Sequence, residues 1–516
     1  MTEPETLVRT RNGVVRGIEN NGMLVWRGIP FAAPPVGEFR FRPPAPALEW
    51  SGIRDADALP AIAWQSPPPP GMPPPADGVA EPPPDENCLF VSVTRPAGPV
   101  PGGGLPVLVW IHGGGYLTGN ALLDADGVAI ARHGIVVVSV GYRLGGFGFL
   151  YLADLFGAGF GSSGCVGLLD QVQALRWVRD NIEAFGGDPG RTTLYGISAG
   201  AKSVANLLSL PVSRNLVQRA ISGSGGGEHA ATLEQATEVR RRLFAALGLT
   251  TPTPQRLTSI PASELVDAQE VLGTGGRATW LWRPVVDGNV LHDLPIRALE
   301  RGAAAGIPLL VGNNGREGAT FALFEPTAIA QAGRVLTELF GAPGAATIRA
   351  AYRADDPDID ESAIDVAVLG TERYGAPTTR LADAQSRYAD VWRYRFDLNA
   401  PGLPPALAGG HGMDAPAVWS AHRWDRLDSP QARASSGLSA AVATFALGRP
   451  PAAPRSQPWP RYAEPGRSTL ILDADPHVEG DPRPAERRAW QGRSWPSGTW
   501  WAIGDLNGRV GKATSR

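Results

Sequence analysis

The chain has 516 residues, of which 43% are hydrophobic and 19% are charged, and its formal net charge at pH 7 is -3. This balance indicates a globular protein with a large core, and it lacks the basic excess that is typical of nucleic-acid-binding proteins. The seven histidines, at positions 112, 133, 229, 292, 411, 422 and 477, form no short-spaced cluster of metal ligands. We therefore expect no nucleic-acid partner, no metal and no cofactor.

Cysteine content and the length of the apolar runs indicate the cellular compartment in which the protein is expected to be found. The two cysteines, Cys88 and Cys165, are too few for a disulfide framework, although a single bridge between them stays open. The N-terminal sequence MTEPETLVRTRNG has no basic segment followed by an apolar one, and runs such as Pro106–Ile111 are too short to cross a bilayer. These features predict a cytoplasmic protein that has no membrane partner and that exists as a monomer or a homodimer.

Short apolar runs alternate with helix-like stretches, which predicts an α/β fold whose parallel or mixed sheet is covered on both faces. The predicted strands are, in chain order, Pro106–Ile111, Ile135–Val140, Thr192–Ile197, Ile307–Gly312, Asp390–Phe396 and Ser468–Asp473. Asp124–His133 is predicted to supply a crossover helix between the first two strands. The clearest helix is Leu168–Phe185, where apolar residues recur every three or four positions until Gly186 and Gly187 stop the pattern.

Other stretches are predicted to be irregular. The Pro-rich segment Ser66–Asp85 cannot form a strand or a helix, because proline fixes φ and lacks a backbone donor. Gly159–Gly164 matches the dinucleotide pattern G-x-G-x-x-G, but no strand runs into it, so we interpret it as a loop. The motifs below spread over most of the chain, so we expect one domain over residues 1–490 and a C-terminal tail over residues 491–516.

Three consecutive glycines follow the first buried strand. The segment Trp110–Tyr116 reads WIHGGGY, and three glycines in a row are costly in backbone entropy. Bare peptide N–H groups that face an anion would explain this cost, as in the HGGG motif of lipases and esterases. We therefore predict that Gly114 and Gly115 form an oxyanion hole, with Gly113 shaping the loop. The alternative is a flexible turn.

A candidate nucleophile follows the strand Thr192–Ile197. Residues 196–200 read GISAG, which matches G-x-S-x-G, and a helix is predicted over Ala199–Leu208. A strand–turn–helix arrangement of this kind exposes a serine hydroxyl above the sheet, and the N–H of Ala199 would be a third oxyanion donor. The pattern is short, and a structural serine in a Gly-rich turn is the alternative. The flanking strand and helix favour Ser198 as a nucleophile.

With these two motifs, the chain resembles the type B carboxylesterase family, which also contains the cholinesterases. The matching segments are Gly13–Gly17, Arg27–Gly37, Glu86–Val93, Tyr142–Leu150, Asp170–Pro189, Arg283–Gly288 and Trp459–Tyr462. The resemblance covers Asn12–Trp490. It implies an α/β-hydrolase fold, with a large, mostly parallel central sheet, helices on both faces and loop insertions that form a gorge.

The resemblance also implies the remaining members of a catalytic triad. Residues 313–318 read NNGREG and resemble the acid segment, which makes Glu317 the third member. Residues 410–414 read GHGMD and resemble the histidine segment, which makes His411 the base. Ser224 stands where the family has a serine that supports the triad. Without the resemblance, Glu317 would be interpreted as an ordinary surface carboxylate, and His411 could equally be a loop histidine. Ser224 could equally be a buried structural serine.

Two departures from the family pattern bear on function. Ile197 replaces the acidic residue that usually precedes the nucleophile, so cationic substrates are disfavoured and neutral or apolar esters are favoured. The usual cysteine partner of Cys88 is not apparent, which agrees with a reducing compartment. The resemblance further implies a buried ion pair between Arg40 and Glu86.

The predicted function is hydrolysis of small-molecule carboxylic esters by a Ser-His-Glu acyl-enzyme mechanism. The same triad could cleave an amide, a carbamate or a thioester, and the sequence does not distinguish these leaving groups. A non-catalytic binding protein on this fold is a further alternative, which the presence of Ser198, Glu317 and His411 disfavours. A dehalogenase or epoxide hydrolase normally needs an Asp nucleophile, where this chain has Ser.

Overall fold

The structure is a computed structural model that describes residues 5–66, 81–122, 124–273, 281–324, 329–453 and 458–495. Most of the predicted irregular segment Ser66–Asp85 lies outside these residues. Residues 496–516 of the predicted C-terminal tail also lie outside them. Residues 491–495 are described, and the buried ring of Trp495 packs edge-on against Trp490 with ring centroids 5.1 Å apart. The division of the chain at residue 491 stays a prediction.

Fourteen strands occur in the described residues. They are β1 (Leu7–Arg9), β2 (Val14–Arg16), β3 (Ile18–Asn20), β4 (Met23–Pro30), β5 (Ile53–Asp55), β6 (Phe90–Pro96), β7 (Leu105–Ile111), β8 (Val136–Val140), β9 (Gly187–Ile197), β10 (Arg219–Gly223), β11 (Leu309–Asn314), β12 (Val391–Phe396), β13 (Ser468–Leu472) and β14 (His477–Gly480). Eleven of them form one sheet in the order β14-β13-β12-β11-β10-β9-β7-β8-β6-β4-β3, and β1, β2 and β5 form a small second sheet.

The centre of the large sheet is parallel. Strands β8, β7, β9, β10, β11, β12 and β13 pair in parallel with their neighbours, and antiparallel strands continue the sheet at both sides. The predicted parallel or mixed sheet is therefore confirmed. Because parallel strands end at the same edge, the loops that follow β7, β9, β10 and β11 meet there.

The helices that surround the sheet range from 4 to 24 residues, and the longest, over Ala332–Asp355, is kinked at Gly341, whose φ of 70° is not helical. They are α1 (Val128–Ala131), α2 (Gly145–Phe149), α3 (Ala153–Phe156), α4 (Val166–Asn181), α5 (Ala199–Ser209), α6 (Leu233–Ala246), α7 (Pro254–Thr258), α8 (Ala262–Gly273), α9 (Pro295–Glu300), α10 (Gly318–Phe324), α11 (Ala332–Asp355), α12 (Glu361–Gly370), α13 (Ala376–Gln385), α14 (Asp414–Trp419), α15 (Pro430–Ala446) and α16 (Pro484–Trp490). None of the helices in the described ranges combines the length and apolar character needed to span a bilayer.

Both faces of the sheet are buried, as strand β7 shows. Val107, Val109 and Ile111 belong to an apolar cluster that includes residues of α4 and α5. Leu108 and Trp110 point the other way, into a cluster with residues of α1, α14 and α15. Side chains alternate across a strand, so a strand covered on both faces reads as an unbroken apolar run. This unbroken apolar run is why β7 and β8 could be predicted from the sequence.

Several predicted elements differ from the structure in their bounds. Strand β11 spans Leu309–Asn314 where Ile307–Gly312 was predicted, and the predicted helix Leu168–Phe185 is α4 followed by a 3-10 turn over Ile182–Phe185.

Two further elements differ more strongly. The crossover segment Asp124–His133 was predicted as one helix, but it is a 3-10 turn over Asp124–Gly127 followed by the four-residue α1. Gly127 adopts a left-handed φ of 77°, which interrupts the helix. Strand β9 begins at Gly187 and not at Thr192, because Gly187 pairs with Leu105 ahead of a register shift between β7 and β9.

The remaining structural expectations concern buried polar groups. Arg40 and Glu86 form the expected ion pair, in which Arg40 Nε donates to Glu86 Oε2 at 2.7 Å. Cys88 and Cys165 are both free and buried, so the bridge that the sequence left open does not form. The segment Gly159–Gly164, which matches the dinucleotide pattern, follows the short helix α3 and not a strand. This agrees with the interpretation that it does not bind a dinucleotide.

Candidate active site

The turn between β9 and α5 carries Ser198 in a strained conformation. Its φ of 58° and ψ of -121° are unusual for a residue with a side chain. The turn also presses against the end of β7, since a Cβ at Gly200 would lie 2.0 Å from the carbonyl oxygen of Ile111. This strand–turn–helix geometry matches the arrangement that G-x-S-x-G requires.

The Gly-rich loop after β7 lies directly beside Ser198. A Cβ at Gly113 would come within 3.1 Å of Ser198 Cβ, so a larger residue would push the loop away from the hydroxyl. Gly114 has a φ of 99°, which side chains rarely tolerate. Gly114, Gly115 and Ser198 all line the same cavity, and Ala199 is the first residue of α5. The three predicted oxyanion donors are therefore grouped at the end of the sheet where Ser198 lies.

His112 holds the Gly-rich loop in shape. Its ring is buried, stacks on Tyr142 with centroids 4.3 Å apart, and places Nδ1 2.9 Å from the carbonyl oxygen of Gly113. Burial lowers the pKa of His112 from the usual 6.5 to about 4, although the bond to Gly113 opposes this shift. The imidazole is thus neutral, and Nδ1–H donates to the loop.

The predicted triad residues meet in one hydrogen-bonded row. His411 Nε2 lies 2.9 Å from Ser198 Oγ, and His411 Nδ1 lies 2.7 Å from Glu317 Oε2. Glu317 follows β11, whereas His411 lies in the loop before α14. Two bonds hold these segments together, because His411 N–H donates to the Glu317 carbonyl at 3.2 Å and Thr320 Oγ1 donates to the His411 carbonyl at 3.0 Å.

A network of donors fixes the second oxygen of the buried Glu317. Oε1 accepts from Ser224 Oγ at 2.6 Å and from the backbone N–H of Asn314 at 2.7 Å. The Asn314 amide then donates to Ser224 Oγ at 3.2 Å and to Asp414 Oδ1 at 3.1 Å. Burial and the nearby charge of Glu317 raise the pKa of Asp414, whose other oxygen accepts from Tyr394. Ser224 thus contacts the acid, as predicted.

Aromatic rings stack on the imidazole of His411. Tyr374 stacks on His411 with centroids 4.0 Å apart and planes inclined by 15°. Phe321 stacks on both rings, at 5.3 Å from His411 and 6.0 Å from Tyr374. Phe321 also lines the cavity above Ser198. Stacked rings restrict the orientation of the imidazole.

The cavity over Ser198 has a volume of about 510 Å³. Its walls include the rings of Trp110, Trp419 and Phe321 and the aliphatic side chain of Ile197. Trp110 and Trp419 pack edge-on, with centroids 5.0 Å apart. The cavity is therefore largely aromatic and aliphatic next to the hydroxyl. Within the described ranges, no group of three or more His, Cys, Asp or Glu side chains is arranged to hold a metal ion.

Several residues of the site were not found from the sequence. Tyr374 lies in a π-helical turn, Thr371–Gly375, between α12 and α13. Such a turn has no periodic signature, so nothing in the sequence indicated that Tyr374 would reach His411. Asn314 was predicted only as part of the acid segment. Its side-chain amide bridges Ser224 and Asp414 because β11 extends two residues beyond the predicted Gly312. Lys202 gave no signal of burial either.

Comparison with known proteins identifies the family. The sequence profile described as the carboxylesterase family matches residues 4–490. The para-nitrobenzyl esterase of Bacillus subtilis (strain 168) is 35% identical over 507 residues, which cover 93% of this chain and 98% of the relative. Liver carboxylesterase 1 of Oryctolagus cuniculus is 30% identical over 455 residues, which cover 77% of this chain and 76% of the relative.

A solved structure agrees with these relatives. The crystal structure of a Geobacillus stearothermophilus carboxylesterase at pH 6.2 superposes with a TM-score of 0.82 at 37% identity, over 94% of this chain and 100% of that chain. The α/β-hydrolase fold that the sequence motifs implied is thereby confirmed. The chain therefore belongs to the carboxylesterase family and is a carboxylic ester hydrolase.

Proposed function

We propose that this chain hydrolyses neutral carboxylic esters of small molecules through an acyl-enzyme on Ser198. The observation that carries the proposal is the row Ser198–His411–Glu317, with its two contacts of 2.9 Å and 2.7 Å. A free serine is a weak nucleophile and needs a base, and the base needs a carboxylate that fixes its tautomer. The row supports all three roles.

The mechanism has two steps that use the same groups. His411 Nε2 takes the proton of Ser198 Oγ while the oxygen attacks the ester carbonyl, and Glu317 stabilises the imidazolium that forms. His411 then gives the proton to the departing alcohol, which leaves an acyl group on Ser198. In the second step His411 takes a proton from water while the water oxygen attacks the acyl carbonyl. The bond between the acyl carbon and Ser198 Oγ then breaks, His411 returns the proton to Oγ, and the carboxylic acid is released.

The backbone N–H groups of Gly114, Gly115 and Ala199 are proposed to stabilise the tetrahedral oxyanion of both steps. Their support comes from the position of the Gly-rich loop against Ser198 and from the start of α5 at Ala199. A helix N-terminus and bare amides favour developing negative charge, and loss of one such donor raises the barrier by about 3 kcal/mol.

The lining of the cavity supports the proposal that the alcohol group of the substrate is neutral. Ile197, Trp110 and Trp419 offer apolar and aromatic surface, and no carboxylate stands at position 197 to attract a cation. The Bacillus subtilis relative is named for esters of para-nitrobenzyl alcohol, which is neutral and aromatic. An aromatic or aliphatic alcohol therefore fits this cavity better than a choline does.

A cytoplasmic location also belongs to the proposal. It is supported by Cys88 and Cys165, which are both free and buried. Burial raises the pKa of both thiols, which keeps them protonated and unreactive. Unbridged cysteines are the common state in a reducing compartment.

The proposal is tested by Ser198→Ala with a p-nitrophenyl ester as substrate. We expect turnover to fall by at least about 10³-fold, because the nucleophile is lost, with an unchanged circular dichroism spectrum and melting temperature. Ser209→Ala is the matched control, since Ser209 ends the same helix and only donates to the Asn206 carbonyl. Turnover by a folded Ser198→Ala protein at the level of the control would contradict the proposal.

A further inference from the structure

Three consecutive residues of the Gly-rich loop lie in the left-handed region. Their φ angles are 99° at Gly114, 65° at Gly115 and 62° at Tyr116. Because Tyr116 carries a side chain, this conformation is costly, and it persists only where the surroundings hold the backbone in place. The bonds that restrain the loop therefore decide in which direction its N–H groups point.

Each of the two oxyanion donors proposed on this loop shares a peptide group with an anchored carbonyl. The Gly113 carbonyl, which lies in one peptide with the Gly114 N–H, accepts from His112 Nδ1 at 2.9 Å. The Gly114 carbonyl, which lies in one peptide with the Gly115 N–H, accepts from the Thr118 N–H at 2.9 Å. In a planar trans peptide the C=O and N–H bonds point in opposite directions. A fixed carbonyl therefore aims the N–H of the same peptide.

Gly119 closes the loop against the first of these carbonyls. A Cβ at Gly119 would lie 2.6 Å from the Gly113 carbonyl oxygen and 2.6 Å from His112 Nδ1. The Gly119 backbone therefore packs directly on the hydrogen bond that orients the peptide between Gly113 and Gly114. A shift of Gly119 would disturb the peptide that carries the Gly114 N–H.

The side chain of Gln65 binds both backbone groups of Gly119. Its Oε1 accepts from the Gly119 N–H at 2.8 Å, and its Nε2 donates to the Gly119 carbonyl at 2.9 Å. Nε2 also donates to the Ala63 carbonyl at 3.1 Å. A flipped amide would place its oxygen against two carbonyls, so one orientation alone makes all three bonds. Gln65 thus ties the end of the Gly-rich loop to a segment 54 residues earlier in the chain.

We propose that Gln65 is a positioning residue that acts through Gly119 and holds the Gly114 N–H in the direction needed to bind the tetrahedral oxyanion. This inference rests on the proposed oxyanion hole and on Ser198 as the nucleophile. A preorganised donor stabilises the transition state when it points at the oxygen on which charge develops, and a small misplacement slows the reaction. Loss of Gln65 should therefore weaken oxyanion binding more than it weakens binding of the uncharged substrate.

A purely structural role is the alternative, and Gln385 is a matched example of such a role. Gln385 is buried and donates to the backbone carbonyls of Ala304 at 2.9 Å and Ile307 at 2.8 Å. These carbonyls precede β11, whereas the Gly-rich loop follows β7. Gln385→Met therefore removes bonds of the same kind as Gln65→Met does, but outside the loop. The pair separates an effect on stability from an effect on catalysis.

The test uses two ketones that differ in whether they form an oxyanion in the site. With 1,1,1-trifluoro-4-phenylbutan-2-one, Ser198 Oγ bonds to the carbonyl carbon, its proton passes to His411, and the carbonyl oxygen becomes negatively charged. The parent 4-phenylbutan-2-one is far less electrophilic and measures binding without this addition.

In Gln65→Met, we expect the inhibition constant of the trifluoromethyl ketone to rise about 10- to 50-fold. The kcat for p-nitrophenyl butyrate should fall by a similar factor, while KM and the inhibition constant of the parent ketone stay within about threefold. Gln385→Met should lower the melting temperature and leave both inhibition constants and kcat unchanged. Gln65→Glu keeps the size and the acceptor of Gln65 but cannot donate to the Gly119 carbonyl, so it should shift the trifluoromethyl ketone in the same direction.

Each outcome decides the inference. It is overturned if the trifluoromethyl ketone binds folded Gln65→Met as tightly as the unaltered enzyme, or if both ketones weaken by the same factor. Should Gln65→Met fail to fold, the same comparison in Gln65→Glu decides. Turnover by Ser198→Ala would instead mean that the proposed function has failed, so the two failures are distinguishable.

Discussion

His411 Nδ1 lies 2.7 Å from Glu317 Oε2, although 94 residues separate the two in the chain. The contact forms because two bonds to the backbone of His411 join the turn after β11 to the loop before α14: its N–H donates to the Glu317 carbonyl, and its carbonyl accepts from Thr320 Oγ1. Ser224 and the N–H of Asn314 occupy the other carboxylate oxygen, so Glu317 can turn only one oxygen toward the imidazole. The carboxylate therefore fixes which nitrogen of His411 carries the proton.

Glu317→Gln should remove the effect of the carboxylate on the His411 tautomer, with little change in the shape of the side chain. The amide can present N–H groups to Nδ1, which favours the wrong imidazole tautomer and no longer stabilises the imidazolium. We expect kcat for a p-nitrophenyl ester to fall about 10³- to 10⁴-fold with a nearly unchanged KM, as measured by steady-state kinetics.

Glu338→Gln is the matched control for this change. Glu338 lies on α11 and pairs with Arg334 on the exposed face of the helix, where an ion pair contributes little to stability. Its kcat should equal that of the unaltered enzyme. A Glu317→Gln enzyme that retains more than about a tenth of kcat would show that the carboxylate has no such role.

Ile197 should exclude cationic substrates from the aromatic cavity. Ile197→Glu places a carboxylate beside Trp110 and Trp419, where a quaternary ammonium gains an ion pair and a cation–π contact. We expect the kcat/KM ratio of butyrylcholine to its neutral isostere, 3,3-dimethylbutyl butyrate, to rise about tenfold at mildly alkaline pH.

Ile197→Gln separates charge from shape in this experiment, because it is close in size to Glu and neutral. Its substrate ratio should stay near that of the unaltered enzyme. An equal rise in both variants would mean that polarity or volume, and not charge, sets the preference.

His112 should make the fold less stable in acid. Its folded-state pKa of about 4 lies below the usual 6.5, so the unfolded chain binds more protons between these values. The stability contributed by neutral His112 is complete above about pH 6.5 and is lost as the pH falls toward 4. The loss between about pH 6.5 and pH 5 is on the order of 2 kcal/mol in the free energy of unfolding.

Denaturant unfolding of His112→Asn measures this contribution. Asn keeps a donor for the Gly113 carbonyl and does not titrate, so the variant should lose less stability on acidification than the unaltered protein does. Parallel curves of unfolding free energy against pH for the two proteins would rule out His112 as a source of acid lability.

The parts of the site that the sequence predicted are those encoded in short stretches. The strand, turn and helix around Ser198 are contiguous, and Gly113–Gly115 follow a strand whose apolar run is unbroken because both of its faces are buried. Glu317 and His411 needed the family resemblance, because an isolated carboxylate or loop histidine has no pattern that identifies its partner.

The rest depends on packing between distant segments. Lys202 is a polar residue on a predicted helix, and its burial against the ring of Tyr374 depends on packing between segments that are distant in the sequence. Tyr374 in turn reaches His411 through a π-helical turn that apolar spacing does not encode. The early start of β9 at Gly187 was missed for a similar reason, since Asp188-Pro189 is a turn signal that pairing with β7 overrides.

The central claim is that the hydroxyl of Ser198 becomes acylated, and covalent trapping tests it most directly. The full-length enzyme is treated with a fluorophosphonate probe, digested, and mapped by tandem mass spectrometry, with His411→Ala as a second sample. We predict one adduct per chain, on Ser198, that forms at least about 10²-fold more slowly when the imidazole is absent. An adduct on another residue, or a folded and active enzyme that forms no adduct, would contradict the account.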